Sequence, residues 1–270
     1  MKVYCILSDE RAYRSKSPAM FTTVMQRQGI RGMYVPFKVL PGDVGKALQS
    51  LKILNIAGAN VTVPYKETVI PYLDILSEGA NVIGAINTIV RTGDELKGYN
   101  TNAIGFMDAL DDVGFNPEGK SALVFGTGGA ARAVAFILNW LRTQAIIVTG
   151  RDPGKVKTIV DRFGGEGTAL DALGKSVNVD IIVNATSVSS TDEAPEMADL
   201  VSSLDVKGCQ LVMDLNYNRP QNFWRDMARE QGIRFIDGLL PLAFQARRTF
   251  ALWTGLQVPP EEFIKAVQEK

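Results

Sequence analysis

Apolar runs short enough to be strands alternate with amphipathic helical patterns along nearly the whole chain. This alternation restricts the fold to the α/β class with mostly parallel sheets. Lys2–Leu7 opens as a strand, and Ser17-Pro18 reads as a helix cap followed by a first-turn proline, starting a helix that runs to about Gln28. Tyr34–Phe37 is a second strand, and Val44, Ala47, Leu48 and Leu51 fall at i, i+3, i+4 and i+7, one apolar helix face. A strand over 58–63 follows; the pattern then predicts a helix from Thr68 to Ile83, a strand over Ala85–Arg91 and a turn at Gly93-Asp94. A second unit begins near residue 102, with helices over Asn102–Val113, Gly129–Leu141 and Pro153–Phe163 and strands at Ser121–Phe125, Ala145–Thr149 and Asp180–Val183. Val188–Met197, rich in Ser, Thr, Asp and Pro, reads as a mobile surface loop. Strands at Gln210–Leu215 and Arg234–Ile236 complete the set, and the tail is helical over Leu239–Leu256 and Glu261–Gln268.

Residues 121–133, SALVFGTGGAARA, put a buried strand, a glycine turn and an alanine-rich helix in register, the context that gives a glycine motif its meaning. Gly126 suits the tight turn, Gly128 lets backbone amides approach a pyrophosphate, and Gly129 opens a helix whose first amides favour an anion. Ala131 stands at the third glycine of G-x-G-x-x-G and, with Ala133, is small enough for close helix–strand packing. The segment points to a dinucleotide, against the plainer reading of a glycine turn with no ligand. The next strand ends at Thr149-Gly150-Arg151-Asp152, where ribose selectivity is set. Arg151, with Lys155, suits a 2′-phosphate and favours NADP; Asp152 suits a free 2′-hydroxyl and leaves NAD open.

Composition removes several chemistries. The chain has no histidine, which excludes Ser-His-Asp and Cys-His nucleophile systems and every histidine-based metal site. Proton transfer must fall to Lys, Asp, Glu, Tyr, Cys or water. Two cysteines, Cys5 and Cys209, cannot make a four-thiolate site, so no metal is expected, and they suit a reducing cytoplasm. Lys+Arg and Asp+Glu both number 29, with no basic tract, which argues against nucleic acid as a partner. Asp9 and Glu10 follow the opening apolar run too closely for a signal peptide, and no apolar run approaches the length of a membrane span.

One short segment is not accounted for by packing. In GANVTVPYKE (58–67), Val61 and Val63 alternate with Asn60 and Thr62, giving a strand with one polar edge. Pro64 ends the strand, and Lys66 follows at the strand end, where scaffolds place reacting side chains. Alone, the segment reads equally as a strand, a turn and a solvated lysine.

Its company decides between the two. Ser15-Lys16-Ser17-Pro18, GANVTVPYKE, GAINT (84–88), GYNTN (98–102), GTGGAARA, NATS (184–187), DLNY (214–217) and FQARRTFALWTG (244–255) stand in the order and spacing of the shikimate dehydrogenase family, which the chain resembles nearly end to end. The resemblance implies a substrate-binding α/β domain of residues 1–101 plus 238–270 and an inserted Rossmann domain, 102–237, binding NADP, with the active site between them. It implies reversible reduction of 3-dehydroshikimate to shikimate by NADPH, and a monomer or homodimer. By position it gives Ser15 and Ser17 the substrate carboxylate. Thr62, Asn87, Tyr217 and Gln245 take the ring hydroxyls and carboxylate, and Lys66 is the catalytic lysine. The cofactor falls to Gly126, Thr127, Gly128, Gly129, Ala130, Arg151, Asp152, Asn184, Thr186 and Gly238. Simpler readings stand beside these: Ser17 as a cap, Asn87 and Thr62 as turn or strand residues, Tyr217 as a core residue with a wet hydroxyl. Gln245 in an otherwise apolar helix is harder to explain, because a buried amide needs partners.

The chain departs from the family pattern at a second catalytic position. The family's N-T-D aspartate is here Asn102, which keeps the shape but loses charge and basicity. Asn102 also reads as a cap for the following helix. Three outcomes stay open: a slowed shikimate dehydrogenase, a dehydrogenase for quinate or an amino analogue, or a ligand-binding relative with little catalysis. Ser17, where quinate-using relatives often carry threonine, argues mildly against quinate. Smaller departures are Arg14 and Phe21 in place of histidines, an extra residue in Tyr217-Asn218-Arg219-Pro220, and Gly150 for an asparagine. A folate-type methylene dehydrogenase would leave S-x-S-P and the WTG tail unexplained.

Overall fold

The computed structural model describes residues 1–268. It divides into two units, Met1–Gly105 with the chain from Ala243 onward, and Phe106–Leu242. These limits move residues 102–105 into the first unit and 238–242 into the second, because the chain crosses between units inside helices rather than at their ends.

In chain order the elements are β1 (Lys2–Ser8), α1 (Ser17–Arg27), β2 (Gly32–Lys38), α2 (Val44–Ile53), β3 (Gly58–Val61), β4 (Ile75–Leu76), α3 (Glu78–Ile83), β5 (Thr88–Thr92), β6 (Glu95–Tyr99) and α4 (Thr101–Asp112). They continue with β7 (Ser121–Phe125), α5 (Gly129–Trp140), β8 (Ala145–Gly150), α6 (Pro153–Phe163), β9 (Glu166–Ala169), β10 (Ser176–Asn178), β11 (Ile181–Asn184), α7 (Pro195–Ser202) and β12 (Asp205–Lys207). The chain closes with β13 (Leu211–Asp214), α8 (Phe223–Glu230), β14 (Arg234–Ile236), α9 (Leu239–Thr254) and α10 (Pro260–Gln268). Among the described residues no helix is long and apolar enough to cross a membrane.

The first unit is built on a sheet of order β2-β1-β3-β5-β6-β4. Its β1–β2, β1–β3 and β4–β6 pairs are parallel, and β5 runs antiparallel to both β3 and β6. The apolar face of α2, with Val44, Leu48 and Leu51 buried, packs on Cys5, Leu7, Val61, Ile86 and Ile89. Full burial of each such aliphatic side chain contributes about 1.5–3 kcal/mol. Gly58 is required here by sterics: a Cβ would lie 2.3 Å from Trp253 Nε1, whose indole N–H donates to Ile89 O.

The second unit is a parallel sheet of order β14-β13-β11-β7-β8-β9. The order reverses at β7, as in a doubly wound dinucleotide-binding sheet, and the crevice for a ligand opens at the strands' carboxyl ends on either side of that switch. Trp224 of α8 is fully buried and meets Phe125 edge-on at 4.7 Å.

Three expectations fail. Thr68–Ile83 is not one helix: Pro71 lies in a 3-10 turn over Ile70–Tyr72, and β4 then pairs with β6. Asp74 holds that edge, its amide donating to Leu96 O and its carboxylate accepting from Leu96 N. The strand expected over 58–63 stops at Val61, so Val63 is exposed and the polar alternation ends earlier than the pattern suggests. Val188–Met197 is held rather than free: Ser189 is fully buried, its carbonyl accepts from Phe223 N, and α7 begins at Pro195.

Candidate active site

Backbone hydrogen bonds gather the segments that carry the lysine. Val61 N donates to Asn87 O at 2.9 Å, Thr62 N to Leu7 O at 3.2 Å, and Ile86 N to Lys66 O at 2.7 Å. Lys66 is therefore pinned through its carbonyl to the residue before Asn87, and Thr62 through its amide to the end of β1. Lys66 is half-buried, and among the described residues its ammonium has no hydrogen-bond or ion-pair partner. Desolvation lowers its pKa to about 8, so this is not a solvated surface lysine.

Asn87 is buried and connects to Asn102. Its Nδ2 donates to Asn102 Oδ1 at 2.8 Å and to Thr101 Oγ1 at 2.9 Å, and its Oδ1 accepts from Thr101 N at 2.7 Å. Asn102 is not the cap of α4. Asn100 takes that role, its Oδ1 accepting from Ala103 N at 3.0 Å, which leaves the Asn102 side chain to Asn87. Gln245 finds the partner its burial demands in Thr249, donating from Nε2 at 2.9 Å.

Ser15 and Ser17 stand apart from this network. Ser17 is the first helical residue of α1 rather than its cap, and its amide donates to Ser15 Oγ at 3.1 Å, so Ser15 supplies the acceptor at the helix start. Thr88, Thr101, Thr249 and Asn60, which join these side chains together, were not singled out in the sequence. The one available signal was threonine inside GAINT, GYNTN and the closing helix.

In the second unit, Gly126 has φ +118°, and a Cβ there would lie 2.9 Å from the Ala185 carbonyl, so the turn between β7 and α5 admits only glycine. Gly128 is different: nothing in the protein lies within 4 Å of its Cβ position, so no packing requires a glycine there. That open space over the first turn of α5 fits a phosphate-bearing ligand brought close to the backbone of Gly128, Gly129 and Ala130. The Thr127 methyl sits 2.7 Å from where a Gly150 Cβ would be, so the turn before Arg151 is closely packed against the glycine turn. Arg151 is exposed and has no hydrogen bond or ion pair among the described residues. Asp152 instead caps α6, its Oδ1 accepting from Lys155 N at 3.1 Å, which weakens its case as a ribose ligand.

Three of the cofactor assignments are explained by the fold itself. Asn184 is fully buried and spends its side chain internally, donating to Asp214 Oδ1 and Val188 O and accepting from Thr186 N and Oγ1. Thr186 is thereby held in the same turn, its carbonyl accepting from Asn216 Nδ2. Gly238 is required by packing, since a Cβ would lie 2.2 Å from Leu215 O. Tyr217, half-buried, follows the Asp214 and Asn216 side chains that tie these loops together.

A doubly wound parallel sheet with an open glycine turn, in one chain with a mixed-sheet unit bearing an unpaired, desolvated lysine, defines an α/β protein of two-unit, dinucleotide-binding build. Comparison with known proteins narrows this. A family model described as the shikimate dehydrogenase substrate binding domain matches residues 10–89, and one described as shikimate / quinate 5-dehydrogenase matches 109–235. Shikimate dehydrogenase (NADP(+)) of Moorella thermoacetica is 38% identical over 94% of this chain and 89% of its own length. That of Pyrococcus abyssi is 37% identical over 99% and 97%. The crystal structure of shikimate 5-dehydrogenase from Thermus thermophilus in complex with NADP(H) and shikimate superposes with a TM-score of 0.86 at 32% identity, covering 99% of each chain. The chain belongs to the shikimate dehydrogenase family.

Proposed function

We propose that the protein catalyses the reversible, NADP-dependent reduction of 3-dehydroshikimate to shikimate, in the cytoplasm, at a rate slowed by Asn102. The observation that carries this reading is Lys66, desolvated and unpartnered in the turn that follows β3, in a chain similar to shikimate dehydrogenases along its length. The residues present suit the cofactor. The open turn at Gly128–Ala130 takes the pyrophosphate and the uncommitted Arg151 takes the 2′-phosphate, which favours NADP over NAD. When bound, NADPH supplies the hydride.

The chain's own residues do the rest. Lys66 gives a proton to the carbonyl oxygen during reduction and takes it back from the hydroxyl during oxidation. Ser15 and Ser17 hold the substrate carboxylate, while Thr62, Asn87, Tyr217 and Gln245 orient the hydroxyls. Asn102 contributes a hydrogen bond but no negative charge to keep Lys66 an ammonium. That neutrality favours a second reading, a protein that binds both ligands with little turnover.

A spectrophotometric assay of reduced nicotinamide formation decides between them. Shikimate with NADP should give steady turnover, faster than with NAD or with quinate as substrate. Binding of both ligands without turnover would establish the second reading, and binding of neither would overturn both.

A further inference from the structure

Three threonine hydroxyls meet inside the first unit. Thr88, Thr101 and Thr249 Oγ1 lie 3.0 Å from one another on all three sides, brought together from β5, α4 and α9. Each also receives an amide from outside the ring. Asn60 Nδ2 donates to Thr88 at 3.0 Å, Asn87 Nδ2 to Thr101 at 2.9 Å, and Gln245 Nε2 to Thr249 at 2.9 Å. A hydroxyl has one hydrogen and two acceptor positions. Donating one bond around the ring and accepting one from the ring and one from an amide, every threonine is saturated.

The count holds whichever way the ring hydrogens run, so all three amides must turn nitrogen inward. The longer contact of Thr101 Oγ1 with Asn87 Oδ1, 3.3 Å, would open the ring. Outer contacts agree with this polarity. Asn60 Oδ1 accepts from Tyr34 Oη at 2.8 Å, and Asn87 Oδ1 accepts from a backbone N–H, which cannot reverse.

The polarity then reaches two ends. Asn87 donates to Asn102 Oδ1, so Asn102 turns Nδ2 outward; Gln245 gives its nitrogen to the ring, so it turns Oε1 outward. Among the described residues neither outer atom has a partner, and neither is among the buried atoms left unpaired. We propose that the Thr88–Thr101–Thr249 ring is a positioning device that fixes Asn102 as a donor and Gln245 as an acceptor toward a small polyhydroxylated acid. The ligand atom facing Asn102 is then a keto or hydroxyl oxygen, and an ammonium there is rejected because it can only donate. The identity of the acid rests on the dehydrogenase reading; the ring's polarity does not.

Thr249→Val keeps the shape and removes one ring member, and Thr249→Ser restores the hydroxyl. In the free protein, the side-chain amide hydrogens of Asn87 and Gln245, followed by NMR, should exchange slowly in the wild type and in T249S and faster in T249V. With shikimate and NADP, T249V should raise the KM for shikimate roughly 3–10-fold, the scale of one hydrogen bond, with a smaller change in kcat, and T249S should stay near wild type. Thr88→Val, a substitution strands accept, opens the ring at another member and carries the same expectation if T249V does not fold. Unchanged exchange in T249V, an unchanged KM, or a T249S variant as impaired as T249V would overturn the proposal. A wild type without turnover would refute the dehydrogenase reading alone, because amide exchange reads the ring independently.

Discussion

Replacing Lys66 with methionine is expected to lower turnover by ~10²–10⁴-fold, the usual scale of general acid–base help, while making the protein more stable. The activity side follows from the absence of histidine and the lack of another titratable partner on this lysine. Oxidation of the hydroxyl needs neutral Lys66, so the wild-type rate should rise with pH and level off above about 8. Reduction needs the ammonium and should fall across the same range; in Lys66→Met both profiles should lose this inflection. The stability side has the opposite sign. Folding lowers the Lys66 pKa from 10.5 to about 8, so the unfolded chain binds more protons between those values and stability rises with pH across that window. Below about 8 the folded protein bears the full cost of a desolvated ammonium. Removing it should therefore gain about 1–3 kcal/mol at neutral pH, a range reduced from the full pKa shift because solvent still reaches part of the side chain. Thermal melting of the two proteins at neutral pH checks this, and a less stable variant would contradict it.

The largest stability effect is expected at Asp214. Its buried carboxylate accepts from Ser189 Oγ at 2.7 Å, Asn222 Nδ2 at 2.7 Å, Asn184 Nδ2 at 2.8 Å, Asn216 Nδ2 at 2.9 Å and Asn216 N at 3.0 Å. Burial raises its pKa, and these donors oppose that. Asp214→Ala strands several buried amides together, each costing about 1–3 kcal/mol, so a loss of about 4 kcal/mol or more should appear in denaturant unfolding. The loops after β11 and β13 would lose their shared anchor, and the Ser189 amide, now donating to Glu193 at 2.9 Å, should lose protection from hydrogen exchange. A cost below about 1 kcal/mol would show that the carboxylate is not the anchor.

The contrast between Lys66 and the threonine ring shows what a sequence discloses. Lys66 was visible because a short local string, PYKE after a strand, already sets its backbone, and the glycine turn at 126–129 was visible for the same reason. The ring was hidden because its members lie 13, 148 and 161 residues apart and each looks ordinary in its own segment. The single helix expected over Thr68–Ile83 failed through tertiary pairing, since Asp74 and β4 are claimed by β6. The resemblance gave Asn184 and Gly238 to the cofactor; that Asn184 is buried and that Gly238 is closely packed is visible only in the fold, because neither leaves a mark in a short string. Asn102 was readable as a departure, but only the cap at Asn100 shows that its side chain is free for Asn87.

Lys66 is expected to work without an anionic partner, because residue 102 is neutral. The most direct test is the rate of shikimate-dependent NADP reduction by the wild type and by Asn102→Asp, measured on both sides of pH about 8. A carboxylate at 102 should raise turnover markedly and move the inflection upward, since a nearby negative charge favours the ammonium. An unchanged or lower rate in Asn102→Asp would show that the missing charge at residue 102 does not limit Lys66.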